Sequence, residues 1–428
     1  MKLPNSLRAL QHRNFRLFIV GQGTSQIGNW IQLVATSWLV YRLSESTLML
    51  GLSAFCLQIP MLLITPFAGV LIDRLDVRRI LFTTNTLAML QSLIMLSLMI
   101  SGHIEAWHVV AGNVVLGLGN AFDAPARQAL ISKLLPSRQE LTNAIALNST
   151  VMNGARFIGP MLGGLITASF GEVWSFAANF TMRLAVLSAL QATVIERLGS
   201  RRRQAGIVKQ LMVGIEYAYG FFPSRCALVL LAVSSFCLQS YGSLMPWFAS
   251  QRFGGDSSTL GSLYSAAGLG AVCGMLYLAS RNSIRGLFRV IGWSAGLASL
   301  ALIAFSFAPT FWLALPMLFV SSLCMMLTAA STNTVLQSIV PDELRGRVAA
   351  LYVMSFLGMS PVGSLTSGWL GGLIGPPSAL ALFATMAGCA ALVYAYFFKR
   401  IREEILPLYE RLEIPHHDAS IHKSVAVL

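Results

Sequence analysis

Apolar residues fall in long blocks along this chain, and polar ones either fill the gaps between blocks or recur on single faces within them. An α-helix needs about 20 apolar residues to cross roughly 30 Å of hydrocarbon. Runs of that kind are read at residues 15–41, 48–72, 80–101, 107–127, 145–168, 174–195, 226–249, 260–280, 287–308, 312–338, 348–374 and 377–399. The pattern predicts an all-α protein with twelve membrane-crossing helices.

Several of these helices interrupt their apolar run in register. Gln22, Gln26 and Asn29 stand at i, i+4 and i+7 of the first, which puts three amides on one face. Bare amides facing lipid are costly, so this face lines a cavity or bonds to a neighbouring helix, and both uses are open. Trp30 joins them as a candidate, whereas Trp38 and Tyr41 suit a membrane interface. The fourth helix carries Asn113, Gly117, Asn120 and Arg127 on one stripe, with Asp123 beside it. The seventh carries Ser235, Gln239 and Ser243 with Tyr241 nearby, and the tenth Met326, Ala330, Asn333 and Gln337. Polar stripes in equivalent helices of two halves point to one central cavity. Arg156 and Arg183 lie inside the fifth and sixth helices, where a central arginine costs roughly 2.5–3.5 kcal/mol on the insertion scale. Each is a functional candidate, with snorkelling or a structural bond to carbonyls as the alternative.

Composition removes the soluble classes, since 55% of the residues are hydrophobic and 11% charged, against about 25% charged in soluble domains. The formal net charge of +13 does not imply a nucleic-acid partner, because its placement follows the positive-inside rule. With the amino terminus inside, only Arg42 and Arg252 of the loop arginines fall outside, and both termini are expected in the cytoplasm. The expected organisation is a lead at 1–14, a six-helix bundle at 15–195 and an amphipathic linker at 196–225. A second six-helix bundle at 226–399 and a cytoplasmic tail at 400–428 complete it. The six cysteines have no paired or metal-like spacing, and the adjacent His416 and His417 sit on a polar tail, so no metal or cofactor is expected. The basic amino terminus lacks a small-residue cleavage pattern after the apolar run and reads as a retained first helix.

Between the second and third helices, Gly69 is followed by Asp73, Arg74, Asp76, Arg78 and Arg79 in a turn too short for anything but a tight reversal. Gly69 itself removes a side chain where another helix can approach. An echo at residues 274–285 keeps Gly274, Arg281 and Arg285 but not the acids. Gly274 follows Gly69 by 205 positions, as Pro341 follows Pro136, while Arg252 and Gly261 follow Arg42 and Gly51 by 210. The string Leu-Gly-Gly-Leu-Ile recurs at 162–166 and 370–374. Independent anchors at nearly constant spacing indicate an internal duplication.

The 69–79 turn resembles the signature loop of the major facilitator superfamily, through Gly69, Leu71, Asp73, Arg74 and Arg78; Asp76 stands where the family has glycine. Its Asp-Arg-Leu-Asp form, and residues 120–130, resemble the enterobactin exporter-like branch of bacterial efflux proteins. Gly159, Pro160, Gly163 and Gly164 resemble the antiporter motif of the fifth helix, and Asn113 stands where the family often has an arginine tied to proton transfer. The resemblance implies two pseudo-symmetric bundles that alternate access around a site near the bilayer midplane. Gly69, Asp73, Arg74, Asp76, Arg78, Arg79, Asp123 and Arg127 form the expected cytoplasmic gate; Asp123 lies near the cytoplasmic end of its helix, at the depth of the turn arginines, and is read as a partner for Arg74 or Arg78.

Function follows from charge and cavity chemistry. Arg156 and Arg183 with no mid-membrane acid to balance them favour an anionic or polyhydroxy cargo, such as a siderophore, over a cationic drug. Gln22, Gln26, Asn29, Asn113, Asn120, Gln239, Asn333 and Gln337 are the expected hydrogen-bonding residues, with Trp30 and Tyr241 stacking on rings and Arg156 as the cation. The expected protein is a monomeric, proton-coupled efflux antiporter of the bacterial inner membrane. A multidrug or antibiotic pump is the alternative, an uptake permease is a rival on direction, and a membrane-embedded enzyme or sensor is the different class, for which no nucleophile cluster, P-loop or soluble domain is evident.

Overall fold

The structure, a computed structural model, describes residues 5–72, 75–135, 138–193, 216, 218–281 and 283–411. The amino half contains α1 (Arg13–Ser44), α2 (Thr47–Ile72), α3 (Val77–Ile100), α4 (Ala106–Lys133), α5 (Arg138–Phe170) and α6 (Glu172–Ala192). The carboxyl half contains α7 (Phe222–Leu238), α8 (Tyr241–Trp247), α9 (Ser257–Ala279), α10 (Leu287–Ser306), α11 (Phe311–Ile339), α12 (Asp342–Val353), α13 (Met359–Ile374), α14 (Pro376–Tyr396) and α15 (Phe398–Arg411). No strand occurs among the described residues. Most of the expected linker lies outside the described residues, as do Asp73, Arg74, His416 and His417.

Nine helical stretches among the described residues are long and apolar enough to cross a membrane. The long helices α1, α4 and α5 fall outside that set, and they are the ones bearing the amide and arginine stripes. Their polarity is the cost of facing an interior rather than lipid. Buried polar positions such as Gln22, Asn113 and Asn148 lie on them.

Two predicted crossings are not continuous α-helices. The seventh breaks at Gln239–Ser240 between α7 and α8, and the eleventh passes through a π-helical turn, Met354–Gly358, between α12 and α13. Prolines account for the irregular hydrogen bonding. Pro361 has no N–H to offer the Leu357 carbonyl in an α-helix or the Phe356 carbonyl in a π-helix. The Phe356 oxygen is satisfied across the interface instead, by Gln239 Nε2 at 3.1 Å and by Ser235 Oγ. Pro246 likewise frees the Gly242 carbonyl, which accepts from Tyr264 Oη at 2.7 Å. Irregular backbone of this kind is tolerated at membrane depth where it is buried in protein or faces a cavity.

Within the amino half, α1 packs on α5 and α6, and α4 packs on α2 and α3; within the carboxyl half, α11 packs on α9 and α10. The halves meet along two seams, α2 with α13 and α5 with α9. Both seams are built from backbone against backbone. A Cβ on Gly51 would lie 2.5 Å from the Ser364 oxygen and 3.1 Å from Gly368 Cα, and one on Gly261 would lie 2.5 Å from the Pro160 oxygen and 2.8 Å from Gly164 Cα. Thr47 Oγ1 donates to the Gly368 oxygen at 2.9 Å, and Ser257 Oγ to the Gly164 oxygen at 3.4 Å. These contacts gather at the end of the bundle that carries the Ser44–Thr47 turn, where Arg42 also pairs with Glu172 at 2.8 Å.

One element has no counterpart among the predicted crossings. Helix α15 buries Ile401, Ile405 and Tyr409 against Phe222, Phe288 and Tyr394, so the start of the expected tail is a docked helix. Arg400 lies 4.2 Å from the Phe222 ring centroid and Arg289 lies 5.9 Å from that of Phe398.

Candidate functional site

A cavity of about 520 Å³ opens between the two halves. Helix α1 contributes Gln22, Gln26, Asn29, Trp30 and Gln32 to its wall; α3 contributes Asn85; α4 contributes Asn113, Asn120, Asp123 and Arg127; α5 and α6 contribute Arg156 and Arg183. From the carboxyl half come Gln239, Tyr241, Tyr264, Met325, Met326 and Phe356, with several small residues. The periodic amides of α1 and α4 therefore share one wall, as helical spacing requires.

Asn333 and Gln337 do not join them. Of the α11 stripe, Met326 faces the cavity, while Ala330 lines a separate pocket beside Arg281. The stripe leaves the cavity along the length of α11, so its two later amides lie past the site.

Charge in the cavity is organised as a chain of hydrogen bonds. Arg183 donates from Nη1 to Asn85 Oδ1 at 2.9 Å and from Nη2 to Asn29 Oδ1, while Asn29 Nδ2 donates to Gln26 Oε1. Asn85 Nδ2 donates to Asp123 Oδ1 at 3.1 Å, and Arg127 Nη2 to Asp123 Oδ2 at 3.1 Å. Two expectations are corrected here. An acid does line the cavity that holds the deep arginines, and among the described residues its arginine partner is Arg127 rather than Arg78; Arg74, the other expected partner, lies outside the described residues. Arg78 turns away and donates to the Gln191 oxygen at 2.8 Å. Asp123 sits one helical turn before Arg127, close enough to hold its charge.

A second buried cluster braces α1 from behind. Gln32 Nε2 donates to Gln91 Oε1 at 2.9 Å, Ser92 Oγ to Gln32 Oε1 at 2.7 Å and Asn179 Nδ2 to Ser92 Oγ at 3.1 Å. Asn113 Nδ2 donates to Ser53 Oγ at 2.8 Å and to the Ser53 carbonyl at 3.2 Å. The sequence reading did not include Gln32, Asn85, Gln91, Ser92 or Asn179 among the site residues. Gln32 stands three residues after Asn29 but about 60° further round α1, at the edge of the amide face, so its spacing was a weak signal; the others are single polar residues in apolar helices.

Arg156 differs from the other cavity arginines. No carboxylate or hydrogen-bond acceptor is paired with it among the described residues, and its guanidinium carbon lies 5.8 Å from the Trp30 ring centroid. The antiporter-like glycines set this geometry by packing α5 between two helices. A Cβ on Gly159 would lie 2.4 Å from Trp30 Cβ, one on Gly163 would lie 2.8 Å from Ile31 Cα, and one on Gly164 would lie 2.9 Å from Gly261 Cα. Pro160 frees the Arg156 carbonyl, which lies against Gly268 of α9.

Of the remaining gate residues, Gly69 lies in the last turn of α2 and Asp73 and Arg74 fall outside the described residues. Asp76 caps α3 by accepting from Arg78 N at 3.0 Å, which gives this position a purpose where the family pattern has glycine. Arg79 stands 3.8 Å from Asp76 with its side chain 80% exposed, an ion pair of little weight.

A family model described as transmembrane secretion effector matches residues 5–420. The chain belongs to that family of major facilitator transporters. It is a multi-pass membrane transporter. The staphyloferrin A transporter of Staphylococcus aureus is 26% identical over 390 residues, covering 87% of this chain and 93% of that protein. The multidrug efflux pump Tap of Mycolicibacterium fortuitum is 26% identical over 396 residues, covering 89% of this chain and 94% of the pump. Among solved structures, a bacterial homologue of the human lysosomal transporter Spinster, inward-facing and unoccupied, superposes with a TM-score of 0.67 at 15% identity, covering 95% of this chain and 99% of its own. A POT family transporter in complex with 5-aminolevulinic acid gives 0.69 at 12% identity, over 91% and 96%. These two share the fold.

Proposed function

We propose that this family member is a secondary active exporter of an anionic or polyhydroxy small molecule of the siderophore kind, working by alternating access and driven by proton exchange. The observation that carries the reading is Arg156. Among the described residues this cavity cation is held only by the face of Trp30, and with Arg127 and Arg183 against Asp123 it leaves the cavity wall positive. A free guanidinium with five N–H donors suits carboxylate, catecholate or hydroxamate oxygens, and the staphyloferrin A transporter is a relative over most of the chain. Gln22, Gln26, Asn29, Asn113 and Asn120 would bond further ligand oxygens.

In this reading the chain crosses a bacterial inner membrane twelve times, as bundles at 15–195 and 226–399 with both termini cytoplasmic, and works as a monomer. Helices α1, α4 and α5 are crossings whose polarity is explained by the cavity they line. Asp123 is the acid among the described cavity-lining residues, and it would carry the coupling proton. Asp73, Arg74 and Arg78 would latch the cytoplasmic end when the seamed end opens. Asp73→Asn should then abolish transport while leaving binding intact; normal transport by that variant would remove the latch.

The test is a comparison of small molecules inside and outside cells with and without the protein, in low and then high iron. Accumulation of an iron-chelating anion inside deletion cells, seen only in low iron, is expected. A second reading, multidrug efflux, is favoured by the cavity acid together with Trp30 and Tyr241, and Tap is a relative. Unchanged chelator levels with altered sensitivity to several cationic drugs would establish it instead.

A further inference from the structure

The two halves contribute unequal chemistry to the cavity. Among the described residues, all four charged side chains on its wall, Asp123, Arg127, Arg156 and Arg183, belong to the amino half, as do eight of its nine amides. The remaining amide, Gln239, is turned into the protein, where Nε2 donates to the Phe356 carbonyl at 3.1 Å and to Ser235 Oγ at 2.8 Å.

Three larger or central polar tips of the carboxyl-half wall are similarly engaged, while Ser360 and Ser364 add two small hydroxyls to it. Tyr264 Oη donates to the Gly242 carbonyl at 2.7 Å, and Tyr241 Oη shares a hydrogen bond with Ser322 Oγ at 3.0 Å. Ser243 Oγ donates to the Ser240 carbonyl at 2.8 Å. Two of these acceptors, the Phe356 and Gly242 carbonyls, are ones that Pro361 and Pro246 deprive of a helical partner. The prolines thus draw polar side chains inward, and the wall presents ring faces, the methyl groups of Ala267 and Ala271 and the thioethers of Met325 and Met326. Thioether side chains adapt to irregular apolar shapes.

We infer that the cargo is an amphiphile bound in one orientation, its acidic or hydroxylated end on the amino half and an aromatic or alkyl body on the carboxyl half. This rests on the anion-transport reading and adds to it a second, uncharged half of the ligand. A compact polyanion of the citrate kind leaves the carboxyl-half wall unused. An amphiphilic cation meets the positive wall with its head.

The experiment is equilibrium binding to the purified full chain in lipid nanodiscs, corrected for empty nanodiscs, with three probes: 3-hydroxy-2-naphthoate, citrate and 2-naphthylmethylammonium. The naphthoate is expected to bind at least 10-fold more tightly than citrate, since each methylene-sized apolar contact contributes roughly 10-fold or more. Arg156→Gln should weaken both acids, and Met326→Gln, which keeps the side-chain length, should weaken the naphthoate alone. Citrate binding as tightly as the naphthoate overturns the amphiphile and leaves anion transport standing; this comparison needs no variant. Tightest binding of the naphthylmethylammonium overturns the anion reading itself.

Discussion

Gly261→Ala adds one methyl group at the α5–α9 seam, and the structure says what it meets. The new Cβ would lie 2.5 Å from the Pro160 oxygen, 2.8 Å from Gly164 Cα and 3.1 Å from Gly164 N, all backbone atoms. No rotamer can move aside, so the helices must part by about 1 Å to restore ordinary contact distances. Overpacking of this kind costs roughly 1–3 kcal/mol. Alanine also favours a helix over glycine by about 0.5–1 kcal/mol, but that gain is common to every state in which residue 261 stays helical and cancels between them. The clash belongs only to the state with this seam closed. The equilibrium between the seam-closed and seam-open states should therefore shift about 5–150-fold towards opening. The assay is a pulsed dipolar distance measurement between spin labels at the exposed positions Phe170 and Phe307, in a background lacking the native cysteines. Gly154→Ala is the control, because on the same α5 a Cβ at Gly154 meets nothing within 4 Å. An unchanged distance distribution in Gly261→Ala, or an equal shift in Gly154→Ala, would refute the argument.

Asp123→Asn removes the countercharge from the Arg127 and Arg183 chain. The stability loss should fall below the roughly 3–5 kcal/mol of a fully buried pair, since both side chains keep 15% exposure; an unchanged melting temperature would show that the chain is not a structural brace. Asp256 caps α9 by accepting from Ser258 N and Thr259 N, so Asp256→Ala should cost about 0.5–2 kcal/mol. The Ser258 hydroxyl, more than any other contact, holds the Asp256 carboxyl below its usual value. The cap is therefore fully present above the ordinary carboxylate value of about 3.9 and is lost as pH falls through the depressed one, so the melting difference between wild type and Asp256→Ala should close in strong acid and hold between pH 5 and 8. Arg400→Ala removes the contact on Phe222 and the 3.3 Å pair with Glu404. The expected cost is about 0.5–1 kcal/mol, read as faster proteolysis at α15; an unchanged rate would mean that Ile401, Ile405 and Tyr409 hold the helix alone.

Membrane character and the cavity-facing amides were legible because both follow from periodicity. Gln22, Gln26 and Asn29 announce a face by spacing alone, and the helix has no choice about where that face points relative to itself. Which helix stands opposite is another matter. Asn85, Gln91, Ser92, Asn179 and Arg183 meet α1 only because α3 and α6 pack behind it, an adjacency that periodicity within one helix does not contain. The same limit explains why Arg78 does not meet Asp123: depth along α4 suggested a turn arginine, but Arg127 on its own helix reaches the carboxylate and Arg78 bonds to the Gln191 oxygen. Asn333 and Gln337 were placed by a stripe whose beginning, Met326, does face the cavity, and whose end runs past it. The interruptions near Gln239 and Phe356 were visible as Pro246 and Pro361, yet proline only marks a carbonyl that needs a partner and does not name it.

The internal duplication takes different forms in sequence and in packing. Leu-Gly-Gly-Leu-Ile recurs with an offset of 208 positions, whereas the seam residues correspond differently: Thr47 and Gly51 oppose Ser364 and Gly368 as Ser257 and Gly261 oppose Pro160 and Gly164. Gly164 and Gly368 are 204 positions apart, about one helical turn from the sequence match. A shift of one turn keeps a residue on nearly the same face, so glycine-rich helices can slide in alignment while the seam keeps its spacing. The proposed alternating access would need that symmetry, because two halves rocking as bodies must close both contacts together. The cavity has no such need, and there the halves have diverged into a charged wall and an uncharged one. On the proposed mechanism, symmetry is kept where the motion requires it and broken where a single asymmetric cargo is recognised.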